Sequence, residues 1–209
     1  MTEYLASYIP AIKSLIPRSS PAVATLPELD STRPSLPPRA EQAIKGKPAL
    51  IAFVRHCGCP FAEKEVNLLS EQLNQSEGLQ VVIVQHSPEA QTKKWFEEIG
   101  GARLFPDSSR YTLLSNPSRE LYASWGIGSL GWTGMISPSI MNNLKALKAA
   151  DGIDLRSTGE GSYRWGNSGG FAVDKEGKVK WRDVAEDSSD ICDYAQAAKT
   201  VLQDSSAPC

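Results

Sequence analysis

The sequence predicts an α/β fold, a three-layer sandwich with a central mixed sheet and flanking helices, preceded by an N-terminal helix and a proline-rich arm. Three observations predict it. Short apolar runs of strand length, Pro48–Val54 and Leu79–Gln85, alternate with amphipathic segments at 60–75 and 87–99. That strand–helix–strand–helix order implies parallel pairing with a right-handed crossover. A hairpin pattern follows late in the chain, with Gly170–Asp174 and Lys178–Trp181 flanking turn chemistry at Asp174–Gly177. Ahead of all this, Pro17, Pro21, Pro27, Pro34, Pro37 and Pro38 erase any periodicity, as in an extended arm.

The elements follow in order. Tyr4, Leu5, Tyr8, Ile9, Ile12, Leu15 and Ile16 recur at helical spacing on one broad apolar face. Pro10 should kink that helix. The face either docks on the domain or forms a homodimer contact. A short helix near 40–45 leads into the first buried strand. In the segment from Pro60 to about residue 75, Phe61, Val66, Leu69 and Leu73 share a face, and Gly78 follows its end. Ser87-Pro88 begins a helix to Ile99, stopped by Gly100-Gly101. Tyr111–Leu114 is the third strand, Asn116-Pro117 starts a helix to Trp125, and 126–137 is a glycine- and serine-rich loop. Ser137-Pro138 opens a helix to about Ala150, and 151–167 is a long connection of the kind that often carries function. Ser188-Ser189-Asp190 caps a last helix through Leu202. Three units result: an N-terminal helix and arm at 1–40, a domain at 41–203, and a tail at 204–209.

Composition narrows the function. With 209 residues, 41% apolar and 22% charged, the chain has the balance of a soluble globular protein. A net charge of −2 offers no footprint for nucleic acid or an anionic membrane. No apolar run approaches the roughly 20 residues that span a bilayer. The first residues lack the basic and apolar regions of a signal peptide. Cys57, Cys59, Cys192 and Cys209 are too few for a disulfide-stapled secreted domain. A cytoplasmic setting is therefore expected. Four cysteines with only His56 and His86 do not make the paired ligand spacings of structural zinc, so no metal is expected.

The chemistry concentrates where the first strand meets a helix, in Phe53-Val-Arg-His-Cys-Gly-Cys-Pro-Phe61. A helix N-terminus presents unpaired N–H groups and partial positive charge. Thiols so placed favour the thiolate, the reactive form. Cys59, directly before Pro60, is the thiol at the helix start. Cys57 lies two residues earlier, too close to Cys59 for an easy unstrained disulfide. Arg55 offers charge for a thiolate or an anionic substrate, and His56 a base or an ion-pair partner. Each also has a plainer reading: buried small apolar group for a cysteine, backbone-bonded loop residue for His56, surface ion pair for Arg55. Cys192 falls on an apolar helix face and reads as core, and Cys209 lies on the tail.

The order strand, cysteine, helix, strand, helix, hairpin and terminal helix is the thioredoxin-fold arrangement. The junction at 53–61 resembles the active-site segment of the peroxiredoxin-like branch of the AhpC/TSA antioxidant family. Leu113-Leu-Ser-Asn-Pro-Ser-Arg-Glu-Leu-Tyr-Ala-Ser-Trp-Gly-Ile127 resembles its later strand–helix segment, and Gly169-Gly-Phe-Ala-Val-Asp-Lys-Glu-Gly-Lys-Val-Lys-Trp181 its late hairpin. The similarity runs over about 45–203. It implies a thioredoxin-like domain, Cys59 as the first active-site cysteine and no prosthetic cofactor, with a small thiol or thioredoxin as reductant. The pattern departs from the family at named positions. Ala62 stands where a Cys-x-x-Cys motif has its second cysteine. Ala52 and His56 stand where peroxiredoxins carry a proline and a threonine or serine. Ser168-Gly169-Gly170 replaces the cis-proline of thioredoxins.

Three functions follow as expectations. In the first, Cys59 attacks a peroxide or related oxidant, Cys57 or a small thiol resolves the product, and Arg55 and His56 keep Cys59 ionised. Pro60, Phe61, Trp132, Trp165, Gly169 and Gly170 then line the small-molecule substrate site. In the second, the loops 126–137 and 151–169 enclose a pocket for a non-redox step on an organic intermediate of a biosynthetic pathway. In the third, the N-terminal helix and arm make the chain a non-enzymatic interaction module.

Overall fold

The computed structural model describes residues 9–204, with side chains from 12 to 203. The apolar positions Tyr4, Leu5 and Tyr8 and the tail cysteine Cys209 lie outside the described residues. In chain order the elements are α1 (Ile9–Ser14), α2 (Pro38–Ile44), β1 (Ala49–Val54), α3 (Pro60–Gln75), β2 (Gln80–Gln85), α4 (Glu89–Glu98) and α5 (Gly101–Leu104). They continue with β3 (Tyr111–Ser115), α6 (Glu120–Ser124), α7 (Trp132–Met135), α8 (Pro138–Asp151), β4 (Gly169–Val173), β5 (Val179–Val184) and α9 (Tyr194–Asp204).

The five strands form one mixed sheet in the order β3-β2-β1-β4-β5. β1 and β2 pair parallel, Ile51 opposite Val82, and β2 pairs parallel with β3. β4 runs antiparallel to β1, Phe53 opposite Gly169, and β5 antiparallel to β4. β1 is thus the central strand, buried at every position. Side chains alternate across a strand, and β1 feeds both layers. Leu50, Ala52 and Val54 join Val66, Leu69 and Leu73 of α3 and Ala197, Ala198 and Val201 of α9 on one face. Ala49, Ile51 and Phe53 join Ala40 and Ile44 of α2 and the aromatics Tyr122, Trp125 and Phe171 on the other. Tyr122 also donates its hydroxyl to the carbonyls of Val54 and Val84, both at 2.7 Å, and so ties the ends of β1 and β2 together.

The proline-rich arm is extended and pinned along its length. Asp30 N–H bonds the Val179 carbonyl at 2.7 Å, Val179 N–H the Ser31 carbonyl at 3.0 Å, and Arg33 N–H the Gly177 carbonyl at 3.0 Å. These bonds pair the arm with Val179 at the start of β5 and with the turn before it, so the outer edge of the strand is occupied there. Arg33 forms an ion pair with Glu41, and the Trp125 indole N–H reaches the Ser35 carbonyl. Residue 40 lies inside α2, whose buried Ala40 and Ile44 pack on the sheet.

Several boundaries differ from the sequence expectation, each for a local reason. The last helix starts at Tyr194 rather than near Ser188. Ser189 N–H bonds Asp187 Oδ1 at 2.7 Å and Glu186 N–H bonds Asp190 Oδ2 at 3.0 Å, so these capping residues close a turn instead. Asn116 does the same before α6: its carbonyl takes Arg119 N–H and its Oδ1 takes Leu121 N–H, both at 3.0 Å. The loop 126–137 contains the short helix α7. No helix among the described residues is long and apolar enough to cross a membrane.

Candidate functional site

Leaving the central strand, the chain turns through Arg55, His56, Cys57 and Gly58 and enters α3 at Pro60. Gly58 has φ +87°, and a Cβ there would lie 2.8 Å from the Ser157 carbonyl oxygen and 2.9 Å from that of Arg156. Only glycine meets both demands. Cys59 is the N-cap residue with extended backbone, and its carbonyl accepts the first helical bond, from Glu63 N–H at 3.2 Å. The thiol therefore stands at the positive end of a 16-residue helix. Cys59 is 3% exposed.

Arg55 is 4% exposed and held on every side. Its Nη1 donates to Cys59 Sγ at 3.5 Å and to the Ser188 carbonyl at 3.2 Å. Its Nη2 donates to the Arg164 carbonyl at 2.6 Å and lies 3.3 Å from Met135 Sδ, while Nε reaches the Gly166 carbonyl at 3.3 Å. None of these partners is a carboxylate, so no contact offsets the guanidinium charge beside the sulfur. The turn before α9 and the 151–167 connection thus converge on one side chain of β1's end.

His56 and Cys57 are buried beside the junction with partners of their own. His56 Nδ1 sits 2.8 Å from the Cys57 carbonyl, which can only accept, so Nδ1 carries the proton. Burial, and then the charge of Arg55, hold the ring well below its ordinary value of 6.5. A neutral imidazole bonded to backbone adds no positive charge to Cys59, and Arg55 carries that task alone of the two. Cys57 is fully buried: Gln85 Nε2 donates to its sulfur at 3.0 Å, and the thiol points to the Gln91 carbonyl at 3.7 Å. Burial pushes the Cys57 thiol up to about 12. It stays protonated at neutral pH and is a poor nucleophile there.

A second buried layer lies behind Arg55. Glu65, 1% exposed on α3, accepts a hydrogen bond from the Tyr194 hydroxyl at 3.3 Å. Burial raises its carboxyl to about 8, against the Tyr194 bond and the Arg55 charge, which both lower it. Glu65 is therefore mostly neutral at pH 7 and leaves the Arg55 charge uncompensated for Cys59. Cys192 is buried beside Tyr194; burial first and Glu65 second push its thiol up. It lies just before α9 and packs as core.

The long 151–167 connection closes over the junction. Arg156 N–H bonds the Gly58 carbonyl at 3.3 Å, and its guanidinium grips Glu63 of α3 with two bonds of 2.7 and 2.8 Å. Ser162 and Ser87 hydroxyls meet at 3.0 Å, and the Tyr163 carbonyl lies 2.9 Å from His86 Nε2. The loops 126–137 and 151–169 are bonded to each other, Leu130 N–H to the Trp165 carbonyl at 2.8 Å and Asn167 N–H to the Gly128 carbonyl at 3.2 Å, and a small hollow lined by Gly128, Ser129 and Gly166 lies between them. Two cavities, of about 590 and 510 Å³, lie beside α2 with the hairpin tip and beside α4 with β3.

The expected substrate-binding residues are distributed unevenly. Pro60 and Phe61 are buried, and the Phe61 ring belongs to the core cluster under α3. Trp132 is 72% exposed and meets the buried Trp165 edge to face at 4.5 Å. Gly169 and Gly170 admit close neighbours, but these are the protein's own: the Asp183 carbonyl and Ile127 at Gly169, Tyr194, Trp181 and Cys192 at Gly170. The closeness serves packing of β4. The sequence reading missed Glu65 and Arg164, which a periodic helix and a loop gave no reason to single out. Glu65 alone had a signal, a carboxylate one position from the apolar Val66 on α3. Among the described residues, no group of three His, Cys, Asp or Glu side chains is placed to hold a metal ion.

A profile of the AhpC/TSA family matches residues 38–182, more than half of the chain. Among solved structures, the thiol peroxidase from Chromobacterium violaceum is similar with a TM-score of 0.59 at 13% identity, over 90% of this chain and 93% of that one. Peroxidoxin BcpB from Mycobacterium tuberculosis aligns with a TM-score of 0.53 at 16% identity, over 85% and 97% of the two chains. A yeast mitochondrial 1-Cys peroxiredoxin, studied for thiol resolution via glutathione and thioredoxin systems, aligns with a TM-score of 0.53 at 10% identity, over 84% and 76%. No curated protein matches the chain. At such identities the structures speak for the fold, which is thioredoxin-like.

Proposed function

This chain belongs to the AhpC/TSA family, and from that premise we propose that it is a thiol-dependent oxidoreductase in which Cys59 reduces a peroxide or a related oxidant. The observation that carries the reading is the Arg55 guanidinium donating to Cys59 Sγ at 3.5 Å, at the first turn of α3. Both fields favour negative charge on that sulfur. The Cys59 thiolate attacks the near oxygen of a hydroperoxide. An S–O bond forms, the O–O bond breaks, and the departing alkoxide takes a proton to leave as an alcohol. Cys59 is left as sulfenic acid. A thiol reductant then displaces water to give a mixed disulfide, and a second thiol frees Cys59 with release of the reductant's disulfide.

Of the two resolving routes expected from the sequence, burial of Cys57 and its raised pKa favour an external thiol. The protein named as a 1-Cys peroxiredoxin supplies a parallel, since its thiol is described as resolved via glutathione and thioredoxin systems. The decisive experiment is stopped-flow peroxide turnover with wild type and Cys59→Ser, using glutathione or a thioredoxin system as reductant. Wild type should consume peroxide and the variant should not. Equal rates end the redox reading. Ile12 on α1 and Leu15 and Ile16 just beyond it are exposed, a face for the homodimer contact that light scattering of the full chain tests.

A further inference from the structure

The contacts that fix Arg55 continue beyond the family-matched region into the N-terminal segment. Arg55 Nη2 donates to the Arg164 carbonyl at 2.6 Å. Arg164 is in turn held twice by one residue at the end of α1: its N–H donates to the Ser14 carbonyl at 3.0 Å and its Nε to Ser14 Oγ at 3.1 Å. Its Nη2 donates to Thr158 Oγ1 at 2.7 Å. The next residue repeats the pattern, since the Trp165 indole N–H donates to the Leu15 carbonyl at 2.9 Å. Ser14 is fully buried while Lys13 and Leu15 on either side are exposed. Further along, Arg119 donates to the Ser19 carbonyl at 2.8 Å and stacks over Tyr163 at 4.0 Å. The segment 14–20 is thereby stitched to the connection that covers Cys59.

We infer that this N-terminal segment is part of the thiol site: Ser14 is a positioning residue that, through Arg164, holds the Arg55 guanidinium on Cys59 Sγ and biases the thiol toward anionic reaction partners. The inference rests on the reading of Cys59 as the reactive thiol. Its geometry runs through the backbone and the side chain of Arg164: Ser14 takes Arg164 N–H on its carbonyl and Arg164 Nε on its hydroxyl, the Arg164 carbonyl takes Arg55 Nη2, and Arg55 Nη1 reaches Cys59 Sγ. The Arg164 side chain adds to it. Burial lowers the pKa of its guanidinium and the charge of Cys59 raises it, so the two groups feel one another. Two guanidiniums fixed near one sulfur attract an anion and discriminate against a neutral reagent of the same shape. Losing the hydroxyl frees the Arg164 guanidinium to swing to solvent, and losing the whole segment also releases the Arg164 N–H, which loosens the backbone whose carbonyl holds Arg55.

The test compares two alkylating reagents of nearly equal size, iodoacetate and iodoacetamide, at neutral pH, with modification of Cys59 read by tandem mass spectrometry. Changed access moves both rates together; loss of fixed positive charge moves their ratio. In the chain lacking residues 1–16 the iodoacetate-to-iodoacetamide ratio should fall roughly fivefold. Ser14→Ala should fall in the same direction by less, and Ser14→Thr, which keeps the hydroxyl, should restore the wild-type ratio. An unchanged ratio in the shortened chain overturns the inference and leaves the thiol reading standing. If the shortened chain does not fold, Ser14→Ala decides, and an unchanged ratio there is equally fatal. A wild type in which Cys59 takes neither reagent overturns both.

Discussion

Replacing Glu65 by glutamine tests the buried layer behind the thiol. Glu65 is 1% exposed and its carboxyl is raised to about 8 from an ordinary 4.5, chiefly by burial. Between those two values the folded chain holds a proton that the unfolded chain has lost. By linkage, stability is then fully present below the lower value and declines as pH rises toward the upper one. At 1.36 kcal/mol for each tenfold step in the proton equilibrium, the gap bounds the loss at roughly 5 kcal/mol. Glutamine keeps the shape and an acceptor for the Tyr194 hydroxyl but cannot titrate. Wild type and Glu65→Gln are to be unfolded in urea at pH 5, 6.5 and 8 and followed by tryptophan fluorescence. The variant should gain on wild type steadily with pH, by several kcal/mol at the top of the range. The difference between the two isolates Glu65 from His56 and His86. Those are buried neutral, with pKa values lowered mainly by burial, and cost stability in the opposite direction, as pH falls. Parallel curves would refute the argument that Glu65 is protonated in the fold. They would also remove the reason for treating the Arg55 charge as uncompensated.

Two substitutions probe the frame of the site. Gly58→Ala forces a Cβ to 2.8 Å from the Ser157 carbonyl at a positive φ. It should destabilise by roughly 2–4 kcal/mol, read as a drop in thermal midpoint, because both strain and steric overlap must be relieved. A midpoint within error of wild type would mean that the 151–167 connection does not press on the junction. Tyr122→Phe removes the hydroxyl bonded to the Val54 and Val84 carbonyls. Its cost should be about 1–3 kcal/mol in urea unfolding, the scale of buried acceptors left unpaired, while a neutral effect would show that other donors replace it.

Much of the frame is legible in sequence because it is written in periodicity. The apolar runs of β1 and β2, the apolar face of α3 led by Phe61, Val66, Leu69 and Leu73, and the Asp174–Gly177 turn are local patterns, and the structure contains each of them. The position of Cys59 at a helix start is local too, since Pro60 favours the first helical turn. Boundaries set by side-chain turns were less legible. Ser188, Ser189 and Asp190 have capping chemistry, yet they close a turn whose Ser188 carbonyl serves Arg55. That use depends on a residue 133 positions away.

The charge at the thiol shows where sequence reasoning ends. Arg55 and His56 stand side by side in the chain and looked like joint helpers of Cys59. Only the folded surroundings separate them. Backbone carbonyls of Gly166, Arg164 and Ser188 gather round the guanidinium and satisfy its donors in the interior. The imidazole next to it is buried with one carbonyl partner, beside a cation, and loses its charge. Likewise Cys57 and Cys59 are two residues apart and both buried, but one meets Gln85 and Gln91 and the other meets Arg55. The sequence by itself determined the strand order of alternation, the helix that begins at the thiol and the family resemblance, because these rest on spacing along the chain. Tertiary structure decided which neighbours carry charge, which of the two buried cysteines meets the guanidinium and what Ser14 and Glu65 touch. Desolvation and hydrogen-bond partners come from segments far apart in sequence, and no local pattern encodes them.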